Sequence, residues 1–204
     1  DVLCVDKTGT LTGDTVLLEY YMDILGNESE TVLDLAYLNS LYHTGVENHL
    51  DTAILRCQEM PQQESHFTKL SAQYAKLDEL PFDYERKFVS VLVNHNDCSL
   101  LIVKGNVDEV CRRCRYIEYK GRHSLIKDND FSSVHAVVDE VLEDGMKVLA
   151  VAYKQMNRAQ LHSEDEQDRP LLGYLVFFDA PKKTAAYAIQ KLKNLSVGIK
   201  VLTG

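Results

Sequence analysis

Asp1-Val2-Leu3-Cys4-Val5-Asp6-Lys7-Thr8-Gly9-Thr10-Leu11-Thr12 opens the chain, a short apolar run that ends in a carboxylate and passes into a small polar turn. An apolar run of this length before Lys-Thr-Gly-Thr predicts a buried strand with Asp6 at its carboxyl end, where α/β sheets bind ligands. Asp6 in that position is a candidate nucleophile. A carboxylate accepts a phosphoryl group as an acyl phosphate, while Lys7, the hydroxyls of Thr8 and Thr10, turn N–H groups and Mg²⁺ offset the charge on the oxygens.

The far end of the chain repeats the pattern. Leu171 to Phe178 reads as a strand that delivers Asp179, Pro181 and Lys182 to a turn, Thr184 to Leu195 as a helix, and Ile199 to Leu202 as an apolar strand before Thr203-Gly204. Strand, helix, strand is the signature of a parallel α/β unit and matches the opening strand.

The middle differs. Thr15 to Tyr21 predicts a strand, Asn27 with Glu30 a capped helix running to Gly45, and Asn48 a second helix with Leu50, Ala53, Ile54 and Cys57 inward. Residues 59 to 73, polar and containing Pro61, read as loop with room for one helical turn. Val89, Val91 and Val93 alternate with Phe88, Ser90, Leu92 and Asn94, and Ser99 to Lys104 returns after His95-Asn96-Asp97, so an antiparallel hairpin is expected. Asn106 with Glu109 starts a short helix, Tyr116 to Gly121 is a strand and turn, Ser132 to Glu143 a helix stopped by Gly145, and Val148 to Tyr153 a buried strand. The charged run Glu164 to Pro170 reads as a solvated loop. The fold class is therefore α/β, in which residues 1–15 and 171–204 form one parallel domain. Residues 16–170 form an α+β insert with a central antiparallel sheet and flanking helices.

Composition narrows the partners. A net charge of −9 argues against nucleic acid or an anionic membrane as the surface partner. No stretch approaches the roughly 20 apolar residues of a membrane span, so the piece is expected to be soluble. The start in mid-strand and the end just after a strand read as a segment of a longer polypeptide. Five scattered cysteines form no disulfide framework, and Cys111-Arg112-Arg113-Cys114, without a second pair or a histidine cluster, reads as neighbours packed on a helix face.

Asp6 to Thr12, D-K-T-G-T-L-T, resembles the phosphorylation signature of P-type ATPases, ion pumps that pass through a phosphorylated aspartate. Thr8 stands where soluble phosphohydrolases of the related haloacid dehalogenase superfamily usually carry a second Asp as general acid/base, and its absence suits a long-lived phosphoenzyme. The resemblance covers essentially the whole chain. It implies an ATP-binding domain inserted in a haloacid-dehalogenase-like phosphorylation domain, with ATP and Mg²⁺ as cofactors, Asp6, Lys7 and Thr8 as catalytic residues, and Asp6 and Thr8 at an incomplete Mg²⁺ site.

The same resemblance singles out residues of the insert. Asp51, in Leu50-Asp51-Thr52-Ala53, is expected to accept from the adenine amino group or else to complete the cap begun by Asn48. Phe82, in Pro81-Phe82-Asp83-Tyr84-Glu85-Arg86-Lys87, is expected to stack on adenine, with Lys87 adding positive charge. Lys104 is expected to face phosphate and Gly105 to let the ligand approach, with Asn106 where the family usually has Ala. Lys147, in Gly145 to Ala152, is expected to reach phosphate.

Asp179-Ala180-Pro181-Lys182 resembles the family's hinge, with Ala180 in place of its first Pro, and Thr203-Gly204 resembles the start of its phosphate loop. The remainder of that loop and the later Mg²⁺-binding segment are absent, so little ATPase activity is expected from this chain alone. Leu38 to Gly45 and Leu80 to Arg86 are most similar to bacterial magnesium-transporting pumps. Calcium or proton pumps, a soluble phosphohydrolase and a regulatory module that has lost nucleotide binding are the alternatives. The expected setting is the bacterial cell membrane with this part cytoplasmic. The expected partners are ATP and the rest of the same polypeptide: membrane, actuator and remaining phosphorylation segments.

Overall fold

The computed structural model describes residues 1–45, 48–95, 98–126 and 128–202, leaving out the side chains of 8, 14, 95 and 128–135. In chain order the strands are β1 (Val2–Asp6), β2 (Thr12–Asp23), β3 (Ala75–Leu80), β4 (Phe88–His95), β5 (Cys98–Asn106), β6 (Cys114–Tyr119), β7 (Arg122–Leu125), β8 (Lys147–Met156), β9 (Arg169–Pro181) and β10 (Gly198–Leu202). The helices are α1 (Glu30–Tyr42), α2 (His49–Leu55), α3 (Glu64–Gln73), α4 (Val107–Arg112), α5 (Asp128–Glu143) and α6 (Ala185–Asn194).

Two compact units result, residues 1–17 with 178–204, and residues 18–177. In the first, β1 pairs in parallel with β10, with Val5 opposite Val201 and Asp6 opposite Leu202. The chain enters and leaves the second unit through β2 and β9. Because β9 is unbroken from Arg169 to Pro181, the change of unit falls inside a strand at Phe178.

The second unit is a mixed α/β structure around a mostly antiparallel sheet of order β3-β4-β5-β8-β9-β6-β7, which β2 joins at β9. β4 and β5 form the expected hairpin, with Val89 opposite Lys104 and Phe88 opposite Gly105; Asn96 and Asp97 of its turn lie outside the described residues. Strand alternation gives each face its own core. Phe88, Leu92, Leu101, Val103, Ala150 and Ala152 pack with Val107 and Val110 of α4 and with Val138 of α5. Toward α1, Asn39 donates its amide to the carbonyls of Val89 and Ile102 at 3.3 and 2.9 Å.

Several elements differ from expectation for local reasons. Asn27 does not cap α1; Ser29 holds that position, while Asp23 Oδ1 accepts from the N–H groups of Leu25 and Asn27 at 2.8 and 3.0 Å and closes a turn. α1 ends at Tyr42, because His43 is already extended, before Gly45 is reached. Residues 64–73, within the expected loop, form α3, anchored by Phe67, which is fully buried and stacked on Tyr37 at 4.3 Å. The charged run is not solvated throughout, since Asp165, Glu166 and Arg169 are all buried. Cys111 lies in α4 but Cys114 opens β6, so the two buried thiols do not share a helix face.

Candidate functional site

Three short segments meet at one end of the sheet in the second unit. The loop from Pro81 to Lys87 is shaped by Asp83, whose Oδ1 accepts from the N–H groups of Glu85 and Arg86 at 2.7 and 3.0 Å and whose carbonyl accepts from Lys87 at 2.6 Å. Lys87 completes the turn with φ of 56°, a left-handed conformation that few side chains adopt. Held this way, the loop turns its aromatic rings outward. Phe82 is 48% exposed and meets Tyr84 edge to face at 5.4 Å.

The second segment follows α1. Thr44 donates its N–H to Glu79 Oε2 at 2.9 Å and its hydroxyl to Oε1, which ties residues 43–45 to β3. Gly45 N–H donates to His43 Nδ1 at 2.9 Å, so that nitrogen is the acceptor and the ring proton lies on Nε2. A Cβ on Gly45 would lie 2.6 Å from His43 Cε1, so the segment needs glycine to seat the ring. The third segment is the start of α2, where Asn48 Oδ1 accepts from Leu50 and Asp51 N–H, each at 2.9 Å.

Between these segments is a cavity of about 460 Å³ lined by Phe82, Tyr84, Pro81, His43, Asn48 and Val89. It has an aromatic rim, an apolar wall and a small polar edge, the usual make-up of a small-molecule site.

Behind Val89 lies a charged pair. Lys104 donates to Asp51 Oδ1 and to the Ser40 hydroxyl, with Lys104 4% and Asp51 5% exposed. Asp51 Oδ1 also accepts from Ser40 Oγ at 2.8 Å, Asn48 Nδ2 donates to Oδ2 at 2.5 Å, and His43 Nε2 lies 3.2 Å from Oδ2. Burial pushes the Asp51 carboxyl up, but the Lys104 charge and the surrounding donors outweigh it and hold the pKa below its ordinary value. Burial lowers the Lys104 pKa, and Asp51 offsets only part of that effect.

Two expectations meet a different geometry. Asp51 has its carboxylate positions taken by protein donors. Lys104 neutralises Asp51 and presents no solvent-facing ammonium. His43, Asn48 and Ser40 organise the site and were missed by motif reading. Asn48 announces itself in the sequence as a helix cap, and Ser40 and His43 only as members of the stretch Leu38 to Gly45.

Gly105 is also required for a different reason than expected. A Cβ there would lie 2.3 Å from Phe88 Cβ and 2.5 Å from the Lys87 carbonyl, so the close approach of β4 by itself requires glycine. Asn106 caps α4 by accepting from Glu109 N–H at 3.1 Å, as expected. Lys87 is exposed beside the loop, and Lys147 opens β8, half-buried and two residues beyond the partner of Asn106, at the same end of the sheet.

In the first unit Asp6 ends β1, exposed, and a wide helical turn follows from Lys7 to Leu11 with Gly9 at φ of 78°. Thr12 Oγ1 accepts from Gly9 N–H at 3.2 Å, Lys182 N–H donates to Leu11 O at 2.9 Å, and the Lys182 ammonium reaches the Gly9 carbonyl. Asp179 is buried in the last turns of β9, and Pro181 ends that strand. The Thr8 side chain, Thr203 and Gly204 lie outside the described residues, and those residues bring no group of three metal-ligating side chains together.

Residues 43–184 match the family described as P-type ATPase, cytoplasmic domain N. The chain belongs to that family. Across its whole length this domain N chain is 40% identical to "Magnesium-transporting ATPase, P-type 1" of Salmonella typhimurium (strain 14028s / SGSC 2262), covering 22% of that protein. It is 39% identical to the protein of the same name from Escherichia coli (strain K12), covering 23%. A calcium-transporting ATPase of Listeria monocytogenes is 25% identical across the chain, which covers 25% of it. The domain N chain thus spans about a quarter of the length of these relatives, and none of its described helices is long and apolar enough to cross a membrane.

Proposed function

We propose that the cavity beside Phe82 takes the adenine base of ATP, and that this chain is the ATP-binding and phosphoryl-accepting part of a cation pump whose cation is magnesium. The observation that carries the reading is the pair Phe82 and Tyr84, two aromatic rings held outward over a cavity by a loop whose polar groups are satisfied internally. A purine face stacked on Phe82 gains about 1 to 3 kcal/mol by analogy with base stacking. Asn48 supplies the polar edge of the base site, and the Asp51–Lys104 pair holds its rear wall. Lys87 and Lys147, at the same end of the sheet, lie where the phosphates would leave the cavity.

Asp6 is the acceptor. Its carboxylate oxygen attacks the γ-phosphorus, the β–γ bridging oxygen leaves with ADP, and the aspartyl phosphate is later cleaved by water. Lys7 offsets charge on the transferred group, Thr8 and Thr203-Gly204 complete its surroundings, and Asp179 with Pro181 serves as the hinge. An exposed carboxylate at a strand end suits a hard cation, so Asp6 would hold Mg²⁺ together with Thr8. That ion supplies positive charge to the phosphoryl oxygens when bound. The remaining membrane, actuator and phosphorylation segments of the polypeptide supply transport.

The test is a titration of the chain with ATP followed by ¹H–¹⁵N NMR, repeated on Phe82→Ala. Binding on the order of millimolar, about −4 kcal/mol, is expected, with shifts at 43–48 and 81–89 that Phe82→Ala weakens. A folded spectrum with no shifts up to about ten millimolar ATP, a concentration equivalent to only about −3 kcal/mol, overturns the reading.

A further inference from the structure

Glu166 is the buried acid that the nucleotide reading leaves unused. It ends a turn of 3₁₀ helix, Ser163–Glu166, and is 1% exposed. Its Oε1 accepts from Arg86 Nη1 at 2.5 Å and from the Ser90 hydroxyl at 2.6 Å. The segment carrying it is fastened to the sheet on both sides. Leu161 N–H donates to Asp78 Oδ2 at 2.8 Å, the Ser99 hydroxyl to Arg158 O at 2.7 Å, and the Lys154 ammonium to Gln167 O at 3.0 Å.

Arg86 joins this segment to the cavity. Its other arm, Nη2, donates to the carbonyl of Pro81 at 2.5 Å, one residue before Phe82, while the guanidinium lies 5.2 Å over the Phe88 ring. Both ends of its fork are thereby fixed. A guanidinium facing a carboxylate with no access to water cannot swing away without taking the salt-bridged cation from that carboxylate.

We infer that Glu166 is a positioning residue for base recognition: acting through Arg86, it fixes the Pro81 carbonyl and hence the angle at which Phe82 meets the cavity. This rests on the adenine reading of the cavity. A ring held in its binding orientation loses little freedom when a base stacks on it, so the clamp lowers the cost of binding without touching the ligand. Replacing Glu166 by Gln keeps the shape and removes the charge, which leaves Arg86 held by neutral acceptors alone.

The experiment is a double-mutant cycle on ATP binding, read by ¹H–¹⁵N NMR, with Glu166→Gln, Phe82→Ala and the double variant. Glu166→Gln is expected to weaken ATP binding about five- to tenfold, or about 1 to 1.4 kcal/mol, and to cause no further loss once Phe82 is Ala. An equal loss in both backgrounds, or ATP binding unchanged in Glu166→Gln while Phe82→Ala weakens it, overturns the clamp and leaves the adenine site standing. Unchanged binding in Phe82→Ala overturns the adenine site itself. If Glu166→Gln populates unfolded chain, Arg86→Lys makes the same test from the more exposed side of the pair, since a point charge cannot span both acceptors.

Discussion

Lys104 and Asp51 are each other's partner, an ammonium seated on a carboxylate with both side chains almost wholly out of water. Desolvation costs each charge several kcal/mol, and attraction offsets that cost only while both are present. Lys104→Ala is therefore expected to lower the unfolding free energy by about 3 to 5 kcal/mol in urea titrations. Asp51→Leu should act in the same direction, and the Lys104→Ala, Asp51→Leu double variant should lose much less than the sum. Additive losses would show an uncoupled pair. A fall in nucleotide binding on Lys104→Ala thus has to be read beside a measurement of folded fraction.

The pair also sets an acid limit. Asp51 titrates below its ordinary value of 3.8 in the folded chain, because the Lys104 charge and its hydrogen bonds outweigh the effect of burial. Between the folded and unfolded pKa the unfolded chain binds more protons, so stability rises with pH across that window and is lost as pH falls through it. Unfolding free energy measured below about pH 4 should fall more steeply in the parent than in Asp51→Asn. A parent curve no steeper than that of the variant would mean that Asp51 is not held ionised.

Gly105 separates a backbone requirement from a ligand requirement. The atoms that a Cβ would strike at 2.3 to 2.5 Å belong to Phe88 and the Lys87 carbonyl, which cannot move without parting β4 from β5. Gly105→Ala is expected to cost about 3 kcal/mol with no nucleotide present, the upper end of overpacking penalties. Unchanged stability with weakened ATP binding would return Gly105 to the role of clearing space for the ligand.

The sequence shows the frame more clearly than the site because the frame is local. Val89, Val91 and Val93 announce a strand by alternation, and Asn48 and Asn106 announce helix starts that their side chains do cap. α3 escapes because Phe67 is its one buried residue and gives no periodic stripe. The ionic clusters escape for a different reason. Glu166 meets Arg86 across 80 residues and Asp51 meets Lys104 across 53, and a charge reads as solvated until the fold brings its partner to it. Motif resemblance singles out Phe82, which the fold sets at a cavity, but it does not show that protein donors surround Asp51.

Thiol chemistry should sort the cysteines by burial. Cys4 and Cys98 are exposed, whereas Cys57, Cys111 and Cys114 are buried. Burial pushes the Cys111 thiol up to about 12 and that of Cys114 to about 11. The thiolate is the reacting form, so alkylation of the native chain near pH 8 followed by mass spectrometry should label Cys4 and Cys98 first. The other three should react only at the rate of unfolding. Early labelling of Cys114 would show that the α4–β6 junction opens in the native state.

Arg169 supplies the last test, because its burial is poorly matched by hydrogen bonding. It is fully buried, its Nε, Nη1 and Nη2 find no oxygen acceptor among the described residues, and the Cys114 thiol, a weak acceptor, faces it; its guanidinium lies 5.3 Å from the Phe88 ring centroid, as Arg86 and Arg113 do at 5.2 and 5.0 Å. A desolvated cation–π contact returns about 2 kcal/mol. Burying a charge costs several. Arg169→Met keeps an unbranched stem against Phe88 and removes that charge, leaving Glu166 to Arg86 and Ser90. The unfolding free energy is therefore expected to rise by about 1 to 2 kcal/mol, which for a chain of this size raises Tm by about 2 to 4 °C per kcal/mol. Scanning calorimetry reads the sign directly. A fall in Tm would mean that attraction to Glu166 outweighs the desolvation of Arg169, and that the acid serves two arginines.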